Sequence, residues 1–178
     1  VAGRSLGVVA QLGAADLRPL YVAAVERGVR DSLQVGVLGG YELLNVRATL
    51  LAGQEHPTDS SELAFENAAR LAFEQAAKKA GPVLLEPVMK LEVAMPDDYF
   101  GSVSGDLSMR RGVIQDTELR GHNRVIFAHV PLAEMFQYAT KLRTLTQGRA
   151  NWSMEPHRYQ QMPLVLQREL LRRHGYIE

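Results

Sequence analysis

At 178 residues the chain has room for one large domain or two small ones. A hydrophobic share of 46% supports a packed core, and 20 basic against 20 acidic side chains leave none of the basic surplus that holds a protein on nucleic acid by bulk charge. Cysteine is absent, which excludes disulfides, thiolate catalysis and Cys-based zinc sites.

The opening stretch "VAGRSLGVVAQLG" has one arginine and no cleavage-site pattern, so it does not read as a signal peptide. Val1 in place of methionine fits a processed chain or a fragment. No apolar run approaches the ~20 residues of a membrane span. "SLGVVAQL" predicts a short strand. From Asp16 a helical pattern takes over, with Leu17, Leu20, Ala24, Val25 and Val29 at three- and four-residue steps, and Gly36 with Gly39-Gly40 ends it. "LLNVRATLLA" reads as a second strand, with Leu44, Val46, Ala48 and Leu50 on one face.

"LLAGQEHPTDSSE" then joins that strand to a helix. Asp59 followed by Glu62 predicts a capping box, and the helix runs through Leu63, Ala68, Leu71, Ala72 and Ala76 to Lys78-Lys79, stopping at Gly81-Pro82. Two strands alone make a marginal sheet. The first half is therefore expected either to borrow strands from elsewhere in this chain or to be completed by strands that precede Val1, and the second reading is favoured.

The second half alternates through Met89, Leu91, Val93 and Met95, a half-buried strand. A helix is expected from Asp97, with Tyr99, Val103 and Leu107 four apart and Gly112 as its stop. "VIQDTEL" and "RVIFAHV" predict strands joined around Gly121, Pro131 opens a helix carried by Leu132, Met135, Phe136, Ala139 and Leu142, and "RANWSMEP" predicts a last strand with Trp152 facing the core. The order β-α-β-β-α-β is ferredoxin-like. Leu164 to His174 predicts a final amphipathic helix.

Chemistry is sparse. There is no G-x-x-x-x-G-K-[ST] loop and no H-E-x-x-H, and the five histidines (56, 122, 129, 157 and 174) are scattered. Ser60 and Ser61 fall in a helix first turn, where hydroxyls satisfy free N–H groups rather than act as nucleophiles. Lys78-Lys79 and Arg110-Arg111 fall in helix last turns, where cations offset the dipole. His129 alternates with Val125 and Phe127, as a partly buried, satisfied histidine would. His56 is either a solvated loop residue or a functional group presented on rigid supports.

Four stretches carry more: "DSSELAFENAARLAFEQAAKKAGPVLLEPVMKLEV", "GDLSMRRGVI", "VPLAEMFQYATKLRTLTQGRA" and "SMEPHRYQQMP". Together they resemble the C-terminal part of bacterial-type translation elongation factor G, from about Leu6 to Pro163. The resemblance implies an α+β chain in three parts. Residues 1–82 would be a partial ribosomal-protein-like βαβα domain matching the family's fourth, residues 83–163 a ferredoxin-like βαββαβ domain matching its fifth, and residues 164–178 a C-terminal helix or tail.

In that family the fourth domain is an arm that enters the A site of the small ribosomal subunit during translocation. Its tip matches Gly53, Gln54, Glu55, His56, Pro57 and Thr58, and a second tip loop matches Gly13, Ala14 and Ala15. A histidine at the tip can stack on a base and exchange hydrogen bonds. Four positions depart from the family pattern: Ala14 and Ala15 replace a glycine pair, Glu55 stands where an aromatic is usual, and Gln137 where glycine is common.

The implied partners are the ribosome's small-subunit rRNA, tRNA and mRNA, and the large-subunit GTPase-associated region, with neither DNA nor a membrane among them. GTP and magnesium would belong to a full-length parent GTPase, and this chain would carry no catalysis of its own. The implied compartment is the cytoplasm, or a mitochondrion or plastid for an organellar factor. A ribosome-recycling or protection paralogue, a stand-alone ribosome-associated module and an acylphosphatase-type enzyme on the same βαββαβ fold stay open as alternatives.

Overall fold

A computed structural model describes residues 17–177. Over these it has five α-helices and four strands: α1 (Pro19–Val35), α2 (Glu62–Lys79), β1 (Leu85–Pro96), α3 (Phe100–Met109), β2 (Val113–Arg120), β3 (Asn123–Pro131), α4 (Tyr138–Thr146), β4 (Asn151–Gln161) and α5 (Leu164–Arg173). These fall into two compact units. One holds the strands with α3 and α4, and the other holds residues 17–84 with 163–177.

In the second of these units α1 and α2 pack closely. Gly28 lies mid-helix on α1, and a Cβ there would run into the Glu66 carbonyl and crowd the Ala69 methyl, so glycine is needed for the approach. Tyr21, Ala24 and Leu33 of α1 and Ala69 and Phe73 of α2 are buried. Ion pairs join the helices' exposed edges, from Arg27 to Glu62 at 2.7 Å and from Arg70 to Asp31 at 2.8 Å. Exposed pairs of this kind contribute little stability, so the apolar contact is the main attachment. The helix α5 belongs to this unit. Its Gln167 accepts from the buried Leu84 N–H at 2.9 Å, and Leu171 packs where Gly39 leaves room.

Two expectations for this unit need correction. Residues 43–52 do not form a strand. Val46, Ala48 and Leu50 are half-buried and alternate with exposed Arg47, Thr49 and Leu51, but Asn45 is left-handed at φ 57°. Alternation records burial of one side against a neighbour, whereas a strand also needs a ladder partner, and none lies among the described residues. An apolar groove of about 370 Å³ runs between Val46–Leu50 and the two helices. The cap of α2 is also displaced: Ser61, not Asp59, is the N-cap, its Oγ accepting from Ala64 N–H at 3.1 Å. Glu62 thus falls at the first helical position and reaches Arg27 instead. The predicted strand over residues 5–12 lies outside the described residues.

The other unit is an antiparallel sheet in the order β2-β3-β1-β4. Its core is one face of β1 and β3 (Leu91, Val93, Met95, Ile126, Ala128 and Val130) packed on Val103 and Leu107 of α3 and on Tyr138 and Leu142 of α4. The period-two pattern seen in sequence is therefore the buried face. Trp152 is a correction: it is 39% exposed, because β4 is an edge strand and the indole meets the core only edge-on at Tyr138, 5.4 Å between centroids.

The helix expected to open at Pro131 starts later. Leu132–Met135 form a 3-10 turn and α4 begins at Tyr138, because Gln137 between them is left-handed at φ 59°. The Arg110-Arg111 pair is a further correction: α3 ends at Met109 with no basic residue in its last turn, and the two arginines just beyond it hold carboxylates instead. Arg111 grips the buried Glu86 carboxylate with two bonds, at 2.9 and 2.7 Å, and Glu134 with a third. Arg110 bonds Asp106 at 2.8 Å and the Glu134 carbonyl, over the Tyr138 ring. Burial of Glu86 and Asp106 is tolerable only with such partners.

On the opposite face of the sheet, His129 of β3 and His157 of β4 reach across β1 and stack, with 4.2 Å between ring centroids and an interplanar angle of 22°. Partial burial holds the His129 pKa below its ordinary 6.5, helped by the neighbouring His157, Arg158 and Lys90. The folded chain thus resists a proton that the unfolded chain accepts. Stability is unaffected well above pH 6.5 and declines as pH falls from 6.5 toward the lowered value. In an NMR titration His129 should show a midpoint below 6.5, raised by His157→Ala; a midpoint at or above 6.5 contradicts this environment.

A second expectation follows from Gln137. A left-handed residue with a side chain is strained, and glycine is not, so Gln137→Gly should raise stability by about 0.5–1 kcal/mol in urea melts, net of glycine's greater unfolded-state entropy. A loss of stability would show that the side chain contributes more than its backbone strain.

Candidate functional site

Among the described residues, the loop between the extended segment and α2 is where sequence reasoning foresees a contact surface. It is built on both helices. Gly53 lies against Leu17, just before α1, where a Cβ would strike the leucine side chain. The chain then turns at residues 57–59 and enters α2 through Ser61. Gly53, Gln54, His56, Pro57 and Thr58 are exposed, and Glu55 alone of these six is drawn inward.

Glu55 accepts from the Arg18 backbone N–H at 2.7 Å and from Arg18 Nε at 2.8 Å. The backbone N–H of His56 donates to Ser60 Oγ at 2.7 Å, closing the turn on itself. Ser60 and Ser61 hydroxyls are thus both used structurally, and neither is aligned with a base as a nucleophile would be.

The imidazole of His56 has 64% of its side-chain surface exposed. Its Nδ1 is surrounded by Thr58 Oγ1 at 3.1 Å, Asp59 Oδ2 at 3.3 Å and the Thr58 N–H at 3.4 Å. When Nδ1 accepts from Thr58, the ring hydrogen sits on Nε2, a donor free of those contacts. The site therefore presents a flat π-face and one hydrogen-bonding nitrogen on a fixed backbone. That is equipment for contact rather than for bond-breaking.

Among the described residues no group of three His, Asp or Glu side chains is arranged to hold a metal ion. The second predicted tip loop, Gly13, Ala14 and Ala15, lies outside the described residues. Arg18 and Tyr21 escaped the sequence reading. The available signal was that α1 opens with Arg18-Pro19, lacks any acidic residue in its first turn, and has no side-chain cap of its own.

Comparison with known proteins bears on the family of the chain. Residues 7–81 match the family description "Elongation factor G, domain IV", and residues 83–170 match "Elongation factor G C-terminus". The chain is 51% identical over 152 residues to an elongation factor G of Fervidobacterium nodosum, covering 85% of this chain and 22% of that protein. A crystal structure from Thermus thermophilus superposes with a TM-score of 0.81 at 35% identity, over 94% of this chain and 25% of that one. The chain spans under a quarter of the length of the relative it matches. With two consecutive family matches running from residue 7 to 170 and half of its aligned residues identical to a relative, the chain belongs to the elongation factor G family, whose domain IV and C-terminal regions it matches.

Proposed function

We propose that this chain is the ribosome-contacting arm of a translational GTPase of elongation factor G type. In this reading residues 53–58 enter the A site on the small ribosomal subunit, touching RNA while tRNA and mRNA move. The βαββαβ unit lies toward the large-subunit GTPase-associated region, and the ribosome is the cytoplasmic one. The observation that carries the reading is His56: its backbone is pinned by Ser60 and its neighbour Glu55 is pinned by Arg18, yet its ring is exposed. A solvated loop histidine has no need of such supports. A group that must arrive at a base in one orientation does, because ordering it beforehand removes that entropy cost from the binding step.

Nucleotide chemistry belongs, in this reading, to a part of the parent outside these residues. What supports this is that the sequence has no phosphate-cradling G-x-x-x-x-G-K-[ST] loop.

The test is His56→Ala in an elongation factor G that carries this chain in place of its own matching segment. A stacking contact contributes roughly 1–3 kcal/mol, so single-round translocation should slow about ten- to a hundredfold if that contact is made fully in the transition state. Ribosome-stimulated GTP hydrolysis should hold, since the tip makes no nucleotide contact. Equal loss of both rates would mean that His56 acts through docking, and loss of neither would return it to the solvated-loop reading.

A further inference from the structure

We propose that Arg18, Tyr21 and Glu55 form a latch that positions His56, so that Glu55 works inward and is not itself a contact to the partner. The proposal rests on the reading of the tip as an RNA contact. The helix α1 begins without a cap or an acidic residue in its first turn. The Glu55 carboxylate, 37 residues away, supplies both. It takes the Arg18 backbone N–H at 2.7 Å and Arg18 Nε at 2.8 Å, at the helix end that favours negative charge.

The latch continues inward. The Arg18 guanidinium carbon lies 4.5 Å from the Tyr21 ring centroid, and Nη2 donates to Tyr21 Oη. That hydroxyl donates in turn to the Ser60 carbonyl at 3.2 Å. Tyr21 is 4% exposed and stacks on Phe65 of α2, 4.3 Å between centroids. Residues 55 and 60, on either side of the His56–Asp59 turn, are therefore tied to adjacent side chains at the start of α1.

Exposed ion pairs ordinarily contribute little. This one differs because the Glu55 side chain is only 23% exposed and also bonds a backbone N–H. It also lessens an electrostatic conflict. The exposed Asp59 carboxylate already stands beside His56, and a free Glu55 carboxylate would add to its repulsion of RNA phosphates, whereas one neutralised by Arg18 does not.

That conflict gives the test its sign. In the 178-residue chain, Glu55→Gln removes a negative charge from the tip. If Glu55 were an unengaged surface charge, affinity for vacant small ribosomal subunits would rise. As a latch, its loss should speed amide exchange at residues 56–60 about tenfold and weaken subunit binding roughly three- to tenfold. Arg18→Lys, which keeps the charge but lacks Nε, should shift both readouts in the same direction. Exchange in β1 should stay constant, which keeps global unfolding out of the measurement. Unchanged exchange at 56–60, or tighter binding, overturns the latch. Faster exchange with unchanged affinity also overturns the proposal, and it locates the failure in the RNA reading of the tip rather than in the latch geometry. Failure of the unaltered chain to bind subunits sinks the proposed function itself.

Discussion

The close approach of α1 and α2 at Gly28 and Ala69 is the constraint from which the candidate site follows. Two helices held that near each other place the start of one beside the start of the other, and the loop that enters α2 must pass over the first turn of α1. There Glu55 finds an uncapped helix end and Ser60 finds the Tyr21 hydroxyl. The loop is thus shaped by groups already fixed by packing. A Cβ at position 28 would push the helices apart at the Glu66 carbonyl.

The βαββαβ unit solves a different problem. Its hydrophobic face is covered by two short helices, and the end of α3 is secured by buried ions rather than by more apolar contact. Arg111 takes Glu86 and Glu134 together, and Arg110 takes Asp106 while lying over Tyr138. Such networks cost desolvation and are stable only when complete, so they fix one arrangement of the helix end against the sheet. The strained backbone at Gln137 sits beside this network, and Arg110 lies within 3.3 Å of the neighbouring Phe136 carbonyl.

Much of this was legible in the sequence because burial imposes periodicity. Leu91, Val93 and Met95 announce a one-sided strand, and Val103 with Leu107 announces a helix laid on it. The ferredoxin-like order and the exposed His56 follow from such local patterns and from the long family words. What was not legible depends on partners remote in sequence or on backbone dihedrals. Residues 43–52 alternate like a strand but have no ladder among the described residues. Ser61 rather than Asp59 caps α2 because the turn at 57–59 uses Asp59 beside His56. His129 and His157 looked scattered until the strand order brought their rings together. The contact between Arg18 and Glu55 spans 37 residues and has no periodic signature at all.

In the proposed function the loop around His56 is the part of the chain that meets small-subunit RNA. This chain has no cysteine, so Thr58→Cys, in an elongation factor G whose remaining cysteines have been replaced, gives a single thiol to which an iron chelate can be tethered for hydroxyl-radical cleavage of ribosomal RNA. Bound to ribosomes within an elongation factor G, the probe at position 58 should cut small-subunit RNA around the A site, while the same probe at Lys141→Cys, on an exposed position of α4, should not. The absence of A-site cuts from position 58, or equal cuts there from both positions, would contradict the account.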